Sequence, residues 1–240
     1  MKFKALISGI LLSTVFVAVS PAQTDNPPVM STPPLSPSER EALYNRSVEN
    51  RTQKILEVLK LTDPAKSNYV HAAIVAHYHA LRARDEAIDA ELANLQKGST
   101  AWSQARVEMF PEMSKPLHDR FVAKLSQDLT PEQIEKVKDK LTYGKVEFTY
   151  DAYCQIVPNL TDEEKAKILA WLKQARDEAM DGGSADEKSA VFQQYKEQIN
   201  HYLDSRGHDV AKAIGEWNEK QELAKKETAE SASLTNSFVQ

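Results

Sequence analysis

Apolar residues recur at helical spacing along most of the chain. In the longest such stretch they follow one another at alternating steps of four and three, and Asp85 is the one polar residue in the series. This spacing is typical of a helix that packs lengthwise against another helix. The series is Ile74, Tyr78, Leu81, Ile88, Leu92 and Leu95. No segment alternates for long enough to form more than a very short strand, so the pattern predicts an all-α fold.

Capping boxes mark the predicted helix starts. In a capping box a Ser or Thr side chain binds a free amide of the first turn, and a Glu or Gln three residues later binds the amide of the cap residue. Pro37, Pro64 and Pro131 each stand at a first helical position, where a missing N–H costs nothing. The four boxes are Ser36–Glu39, Thr130–Gln133, Thr161–Glu164 and Ser184–Glu187. With only seven glycines in 240 residues, the chain is expected to be helical almost throughout.

We therefore expect a multi-helix bundle. Two long helices, at about 38–60 and 64–96, predict a helical hairpin or projecting arm, and the rest forms a C-terminal helical lobe. The length favours a single all-α domain over 38–224, with possible sub-lobes at 38–96 and 112–224.

Two segments of the domain look non-helical. Residues 98–116 predict a mixed connection, because Pro111 and Pro116 are expected to break a helix there. Residues 142–149 predict a turn at Gly144 followed by a short extended stretch, since Val146, Phe148 and Tyr150 alternate.

The first 37 residues have the composition of an export signal and a linker. Lys2 and Lys4 precede an apolar run, and small residues end at Ala22, which is typical of a signal peptide of 1–22 cleaved after Ala22. Five prolines in 23–37 predict an extended linker. We expect a periplasmic or secreted bacterial protein with no membrane span after cleavage. Residues 225–240 lose the apolar period and predict a disordered tail.

Charge disfavours nucleic-acid binding, and the cysteine content excludes an intramolecular disulfide. Without the two signal lysines, the 30 basic residues fall to 28 against 35 acidic residues, a net charge of about −7. Nucleic-acid binding is disfavoured, because it needs a basic surface that displaces counterions. Cys154 is the only cysteine, so no intramolecular disulfide can form.

Catalytic and metal-binding motifs are absent from the sequence. His71, His77 and His79 form the one histidine cluster, but His77 and His79 would point about 200° apart on a helix. Cys154 lies among apolar neighbours, where a thiol acts as a small hydrophobe. No metal and no cofactor is therefore predicted. Paired carboxylates cannot be chosen from the 35 acidic residues, so whether the protein is an enzyme stays open.

A series of short motifs runs from the middle of the chain onward. They are KD at 138–139, TYG at 142–144, TY at 149–150, PNLT at 158–161, AWL at 170–172, ARDEAMD at 175–181, GS at 183–184, EK at 187–188, Phe192, YK at 195–196, IN at 199–200 and YL at 202–203. Together these motifs resemble the DUF3826 family of secreted bacterial proteins of unknown function. The resemblance extends more loosely to the first helix and implies a context of polysaccharide utilisation, without implying a reaction. A slighter similarity links LTPEQ at 129–133 to the LTxxQ helix starts of Spy- and CpxP-type periplasmic proteins.

One set of polar residues is left as a candidate binding site. Tyrosines lie near the turn at Gly144, and cations, a tyrosine and an amide lie on the two helices that follow. Tyrosine can stack on a sugar ring, and Lys or Arg can neutralise a uronate; the alternative is that these residues only pack and pair with nearby acids. The candidates are Tyr143, Gly144, Tyr150, Tyr153, Arg176, Lys188, Tyr195, Lys196 and Asn200.

These residues support two hypotheses. The first is a non-catalytic binding module for a protein or glycan partner, such as an acidic glycan or a polypeptide. The second is an accessory lyase or hydrolase that acts on an acidic polysaccharide, with a tyrosine and a cation in the reaction.

Overall fold

The computed structural model describes residues 35–237, with side chains up to Ala224 and at Lys226. These residues form eight helices and no strand, which confirms the all-α multi-helix prediction. The helices are α1 Pro37–Leu59, α2 Pro64–Glu91, α3 Thr100–Leu125, α4 Pro131–Leu141, α5 Lys145–Ile156, α6 Asp162–Ala179, α7 Ala185–Ser205 and α8 Val210–Ser237.

Three of the four predicted capping boxes form completely, at the starts of α1, α4 and α6. The fourth, at the start of α7, forms only in part. Ser184 accepts a hydrogen bond from the Glu187 amide, but the Glu187 carboxylate accepts from the Gly183 amide instead of the cap residue. The same carboxylate binds Arg106 of α3, so it joins two helices in addition to its local role.

Buried apolar side chains form two clusters. The first comes from α1–α4 and is completed by Met180, which follows α6. The second comes from α5–α8. α1 packs along α2 as the predicted hairpin, and α2 also packs along α3. The turn that joins α4 to α5 therefore lies where the two clusters meet.

The predicted connection at 98–116 is wrong, because α3 runs through it with Pro111 and Pro116 inside the helix. Each proline removes a backbone hydrogen bond, which favours a break in an isolated helix. Contacts with α2 offset this loss: the Arg84 guanidinium lies 4.3 Å from the centre of the Phe110 ring, and it donates a hydrogen bond of 2.9 Å to Ser114. Tertiary packing thus outweighs the local preference.

The predicted extended stretch at 142–149 is also wrong, because α5 begins at Lys145. Val146 and Tyr150 fit an alternating pattern, but they equally start the helical series Val146, Tyr150, Tyr153 and Val157. Val146, Tyr153 and Val157 are buried in the second cluster, and Tyr150 packs against it. Burial against α6 and α7 decides in favour of the helix.

The chain ends are only partly described. The predicted signal peptide and most of the linker, residues 1–34, lie outside the described residues. α8 continues through 225–237, where the sequence predicts a disordered tail. The domain boundaries therefore stay predictions. Within the described part of the chain, no helix is both long and apolar enough to cross a membrane.

Candidate functional site

The turn between α4 and α5 holds Tyr143 in an unusual backbone conformation. Tyr143 and Gly144 both have left-handed φ angles, 61° and 66°. The Gly144 amide donates to the Asp139 carbonyl at 2.8 Å, and the Thr142 hydroxyl donates to the Lys138 carbonyl at 2.8 Å. A left-handed φ costs a residue other than glycine roughly 1 kcal/mol. The turn nevertheless leaves 51% of Tyr143 exposed to solvent, so the side chain is available to a ligand.

Two neighbouring cavities share Arg51, Tyr78 and Tyr143, and together they form what we call the Tyr143 groove. Their volumes are about 170 and 530 Å³. The smaller cavity is also lined by Tyr44, Leu81, Arg82, Asp85, Glu86, Asp89, Gly182, Gly183 and Lys188. The larger is also lined by Lys54, Ile55, Val58, Lys136, Asp139, Lys140, Gly144 and Glu147. The groove thus runs between the α1–α2 hairpin and the turn at Tyr143.

Most cations of the Tyr143 groove have no acidic partner. Five of its six have no carboxylate oxygen of the described residues within 4.0 Å. The sixth, Arg82, pairs with Glu41 and Glu86. The nearby Asp139 carboxylate is bound by Arg176 at 2.8 Å, so it does not neutralise the lysines around it. The five are Arg51, Lys54, Lys136, Lys140 and Lys188.

Lys188 is the most buried of these cations, with 3% of the residue exposed. Its Nζ donates to the Leu141 carbonyl at 2.7 Å and to the Met180 carbonyl at 3.3 Å. These carbonyls belong to the ends of α4 and α6, where the helix dipole favours a positive charge. Burial, and secondarily the charge of Arg51, lowers the pKa of Lys188 to about 8. The lysine therefore ties two helix ends together and also lines the groove.

Gly182 and Gly183 allow the groove wall to close behind Lys188. A Cβ atom at Gly183 would overlap the Asp85 carboxylate, and one at Gly182 would lie 2.9 Å from Cγ of Lys188. Asp85 is held in place by Arg84 at 2.9 Å and by Arg106 at 3.1 Å. Only glycine leaves space for Asp85 and Lys188 to pack against this loop.

A buried polar network lies behind the groove. Asp181 Oδ2 lies 2.7 Å from Nδ1 of His118, and the Asp181 carbonyl accepts a hydrogen bond of 2.7 Å from Arg84. His77 stacks on the Phe121 ring at 3.9 Å, with Nε2 3.5 Å from Asp181 Oδ1. These last two atoms are buried and have no hydrogen-bond partner in the part of the chain that the structure describes. The network fixes the loop after α6 to α2 and α3.

The two histidines of this network have opposite pKa shifts. Burial lowers the pKa of His77 to about 3, assisted by the charges of Lys188, His118 and Arg84. The hydrogen bond to Asp181 raises the pKa of His118 above its ordinary value. Among the described residues, no group of three or more His, Cys, Asp or Glu side chains is placed to hold a metal ion.

Several of the predicted site residues lie elsewhere, in pairs that join helices. Arg176 is buried and binds Glu135, Asp139 and Asp177, which clamps α6 to α4. The Tyr195 hydroxyl donates to Glu178 at 2.5 Å, between α7 and α6.

Tyr153 makes a similar link between α5 and α7. Its hydroxyl donates to Asn200 Oδ1 at 2.6 Å and to the Lys196 carbonyl at 3.1 Å. Burial raises its pKa, as expected for a phenol that acts as a hydrogen-bond donor in the interior. Tyr150 is half-buried beside it.

Of the nine predicted residues, the structure thus places Tyr143, Gly144 and Lys188 together in the Tyr143 groove. Tyr153, Lys196 and Asn200 meet at a separate surface between α5 and α7. The sequence prediction missed the α1 and α2 side of the groove, where Arg51, Lys54 and Tyr78 lie. One signal was present for Arg51: none of its helix neighbours three or four positions away is acidic.

Fold and site together define an all-helical protein with an open, polar, tyrosine-lined groove. The chain matches the model of the family described as "Protein of unknown function (DUF3826)" over residues 45–223. It therefore belongs to this family, as its motifs indicated. No curated protein matches the chain, so the argument for function rests on the groove.

Proposed function

We propose that the protein is a non-catalytic binding module for an anionic glycan, which it takes up in the Tyr143 groove. The observation that carries the proposal is the set of five cations, four of them exposed, that have no carboxylate partner among the described residues. They are gathered around Tyr78 and Tyr143 in a chain of net charge −5. Unpaired cations in a partly enclosed groove attract an anion, and their attraction is stronger there than at an open surface.

The acidic residues of the groove favour a glycan over an acidic polypeptide. Asp85, Glu86, Asp89 and Glu147 line the same groove as the cations. Carboxylates accept hydrogen bonds from hydroxyl groups, which a saccharide carries on each unit and a polyglutamate chain lacks. A uronate-containing saccharide offers both hydroxyls and carboxylates, and its ring faces can stack on tyrosine. The predicted signal peptide adds that this binding takes place in the periplasm or outside the cell.

A second candidate, an accessory lyase or hydrolase on an acidic polysaccharide, has one observation in its favour. Lys188 lines the groove, and with a pKa of about 8 its amine is neutral in part of the molecules near neutral pH. A neutral amine can accept a proton from a sugar carbon next to a carboxylate. Its two carbonyl partners and its burial nevertheless fit a structural role.

Titration calorimetry with polysaccharides tests the proposal. We expect acidic polymers, represented by polygalacturonate, alginate, hyaluronate and chondroitin sulphate, to include at least one that binds. The Kd should rise with salt concentration, because screening weakens exposed charge pairs. Dextran, which has hydroxyls but no charge, should not bind, and polyglutamate should bind more weakly than the best acidic glycan.

Two results would count against the proposed binding of an anionic glycan. If no acidic glycan binds, or if dextran binds as well as the acidic polymers, the groove does not select an anionic glycan. In the same mixtures, unsaturated products seen by ultraviolet absorbance, or new reducing ends, would support the enzyme instead of the non-catalytic module.

A further inference from the structure

A second surface on the protein has the same chemical character as the Tyr143 groove. Two shallow cavities of about 340 and 410 Å³ share Phe148, Thr149, Gln193 and Lys196, and we call this region the Phe148 surface. It lies between α5 and α7, with α8 along one side. Phe148 is 77% exposed, which is unusual for a phenylalanine on a helix that buries Val146 and Tyr153.

Two lysines and one amide nitrogen of the Phe148 surface are also free to bind a ligand. Lys145 and Lys196 line it, and neither has a carboxylate oxygen of the described residues within 4.0 Å. Asn200 accepts from Tyr153 through Oδ1, and its amide nitrogen has no hydrogen-bond partner among the described residues. An exposed aromatic ring flanked by unpaired cations and an amide suits a saccharide unit that carries a carboxylate.

The first turn of α5 separates the two regions. Gly144 and Glu147 line the Tyr143 groove, whereas Lys145 and Phe148 line the Phe148 surface. A helix with its side chains is about 10–12 Å across. A single sugar unit can therefore occupy only one region, and a ligand that reaches both must be a chain that crosses this turn.

We infer that the ligand is an anionic polysaccharide chain that crosses the first turn of α5 and occupies both the Tyr143 groove and the Phe148 surface. This inference rests on the proposed function, because it takes the ligand of the groove to be an anionic glycan. Occupying both sites with one chain increases the affinity. Once one site is filled, the rest of the bound chain is held near the second site at a high effective concentration.

The test compares chain lengths and variants by titration calorimetry, with Kd expressed per disaccharide unit. The probes are polygalacturonate, alginate and hyaluronate, each as the polymer and as its disaccharide. We expect a polymer to bind wild type more tightly than its disaccharide. The double variant Phe148→Ala/Lys196→Ala should weaken polymer binding roughly tenfold or more. The matched control is Val107→Ala on α3, which removes another exposed apolar side chain (72% exposed) and should change nothing.

Each other outcome overturns the inference, and one of them can overturn the proposed function as well. If polymer and disaccharide bind equally, or if the double variant binds the polymer as wild type does, the second site is refuted and the groove remains a glycan site. If none of the probes binds in either form, the inference fails, and if chondroitin sulphate does not bind either, the proposed function fails with it. If polyglutamate binds wild type as tightly as the best polymer and loses affinity in the double variant, the chain is a polypeptide and the inference fails.

Discussion

Replacing His77 with phenylalanine is expected to remove much of the protein's sensitivity to mild acid. The His77 ring is buried and stacked on Phe121, so a phenyl ring fits the same space. The pKa of His77 falls to about 3 in the folded protein, chiefly through burial and then through Lys188, His118 and Arg84. Asp181 lies only 3.5 Å away, but its attraction does not offset these effects.

The sign of the pH effect follows from that lowered pKa. Between pH 6.5 and about pH 3 the unfolded chain binds a proton at His77 and the folded protein does not. The free energy of unfolding is therefore unaffected by this titration above pH 6.5, and it decreases as the pH falls below 6.5. Each pH unit inside this window changes the free energy of unfolding by about 1.4 kcal/mol. His118 has a raised pKa and so the opposite effect, but it is present in both proteins and largely cancels in the comparison.

Urea unfolding of wild type and His77→Phe between pH 7 and pH 5 measures this effect. Relative to the variant, wild type should lose about 2 kcal/mol of unfolding free energy over this range. A matched control is His201→Gln, because His201 is exposed and its replacement should leave the wild-type pH profile unchanged. Parallel pH profiles for wild type and His77→Phe would show that His77 is not held neutral by its surroundings.

Replacing Lys188 with methionine should change stability in the alkaline range. Methionine fills a similar space but cannot carry the charge that Lys188 brings to the ends of α4 and α6. Because the pKa of Lys188 is lowered from 10.5 to about 8, the unfolded chain keeps its proton through this window while the folded protein loses it. The free energy of unfolding of wild type should therefore rise with pH between 8 and 10.5, relative to the variant.

The expected rise is about 3 kcal/mol over the whole window. Tyrosines with raised pKa values, such as the half-buried Tyr78 at about 12, have the opposite effect above pH 10. They are present in both proteins, so the difference between wild type and Lys188→Met isolates the lysine. Urea unfolding at several pH values from 7 to 10.5 makes the measurement. A constant difference across that range would mean that Lys188 keeps an ordinary pKa.

Local chemistry made the helix starts predictable from the sequence. Thr130 and Thr161 each begin a helix through contacts within four residues, and such contacts can be read from the order of residues alone. The apolar series on α2, from Ile74 to Ile88, was equally clear, because a helical spacing sustained over many residues has few alternatives. The errors came where a long-range contact decides the outcome, as with Phe110 of α3 packed on Arg84.

At the candidate site, too, local features could be predicted from the sequence and long-range contacts could not. The sequence placed Tyr143 and Lys188 among the candidates because both stand near the irregular turn or on the following helices. It could not separate Lys188 from Arg176, since only the packing of α6 on α4 shows that Arg176 is held by Glu135 and Asp139. It also could not bring Arg51 of α1 to Tyr143, because they are far apart in sequence and meet only in the folded chain.

The groove that results is the main claim about this protein. Its five unpaired cations come from α1, α4 and α7, and none of them has an ion pair with another described residue to lose. Removing exposed members of this set should therefore reduce the affinity for the ligand more than it reduces the stability of the fold. Arg51 and Lys140 meet this condition, because both are exposed and they lie on α1 and α4 respectively.

The most direct measurement is the affinity of Arg51→Ala/Lys140→Ala for the acidic polysaccharide that binds wild type best. The control, Lys124→Ala/Lys173→Ala, removes the same charge from two exposed lysines outside the groove. We expect the groove variant to bind about tenfold more weakly or worse, which corresponds to about 1.4 kcal/mol. The control should bind nearly as wild type does. Equal affinities for the groove variant and the control would contradict a binding site at Tyr143.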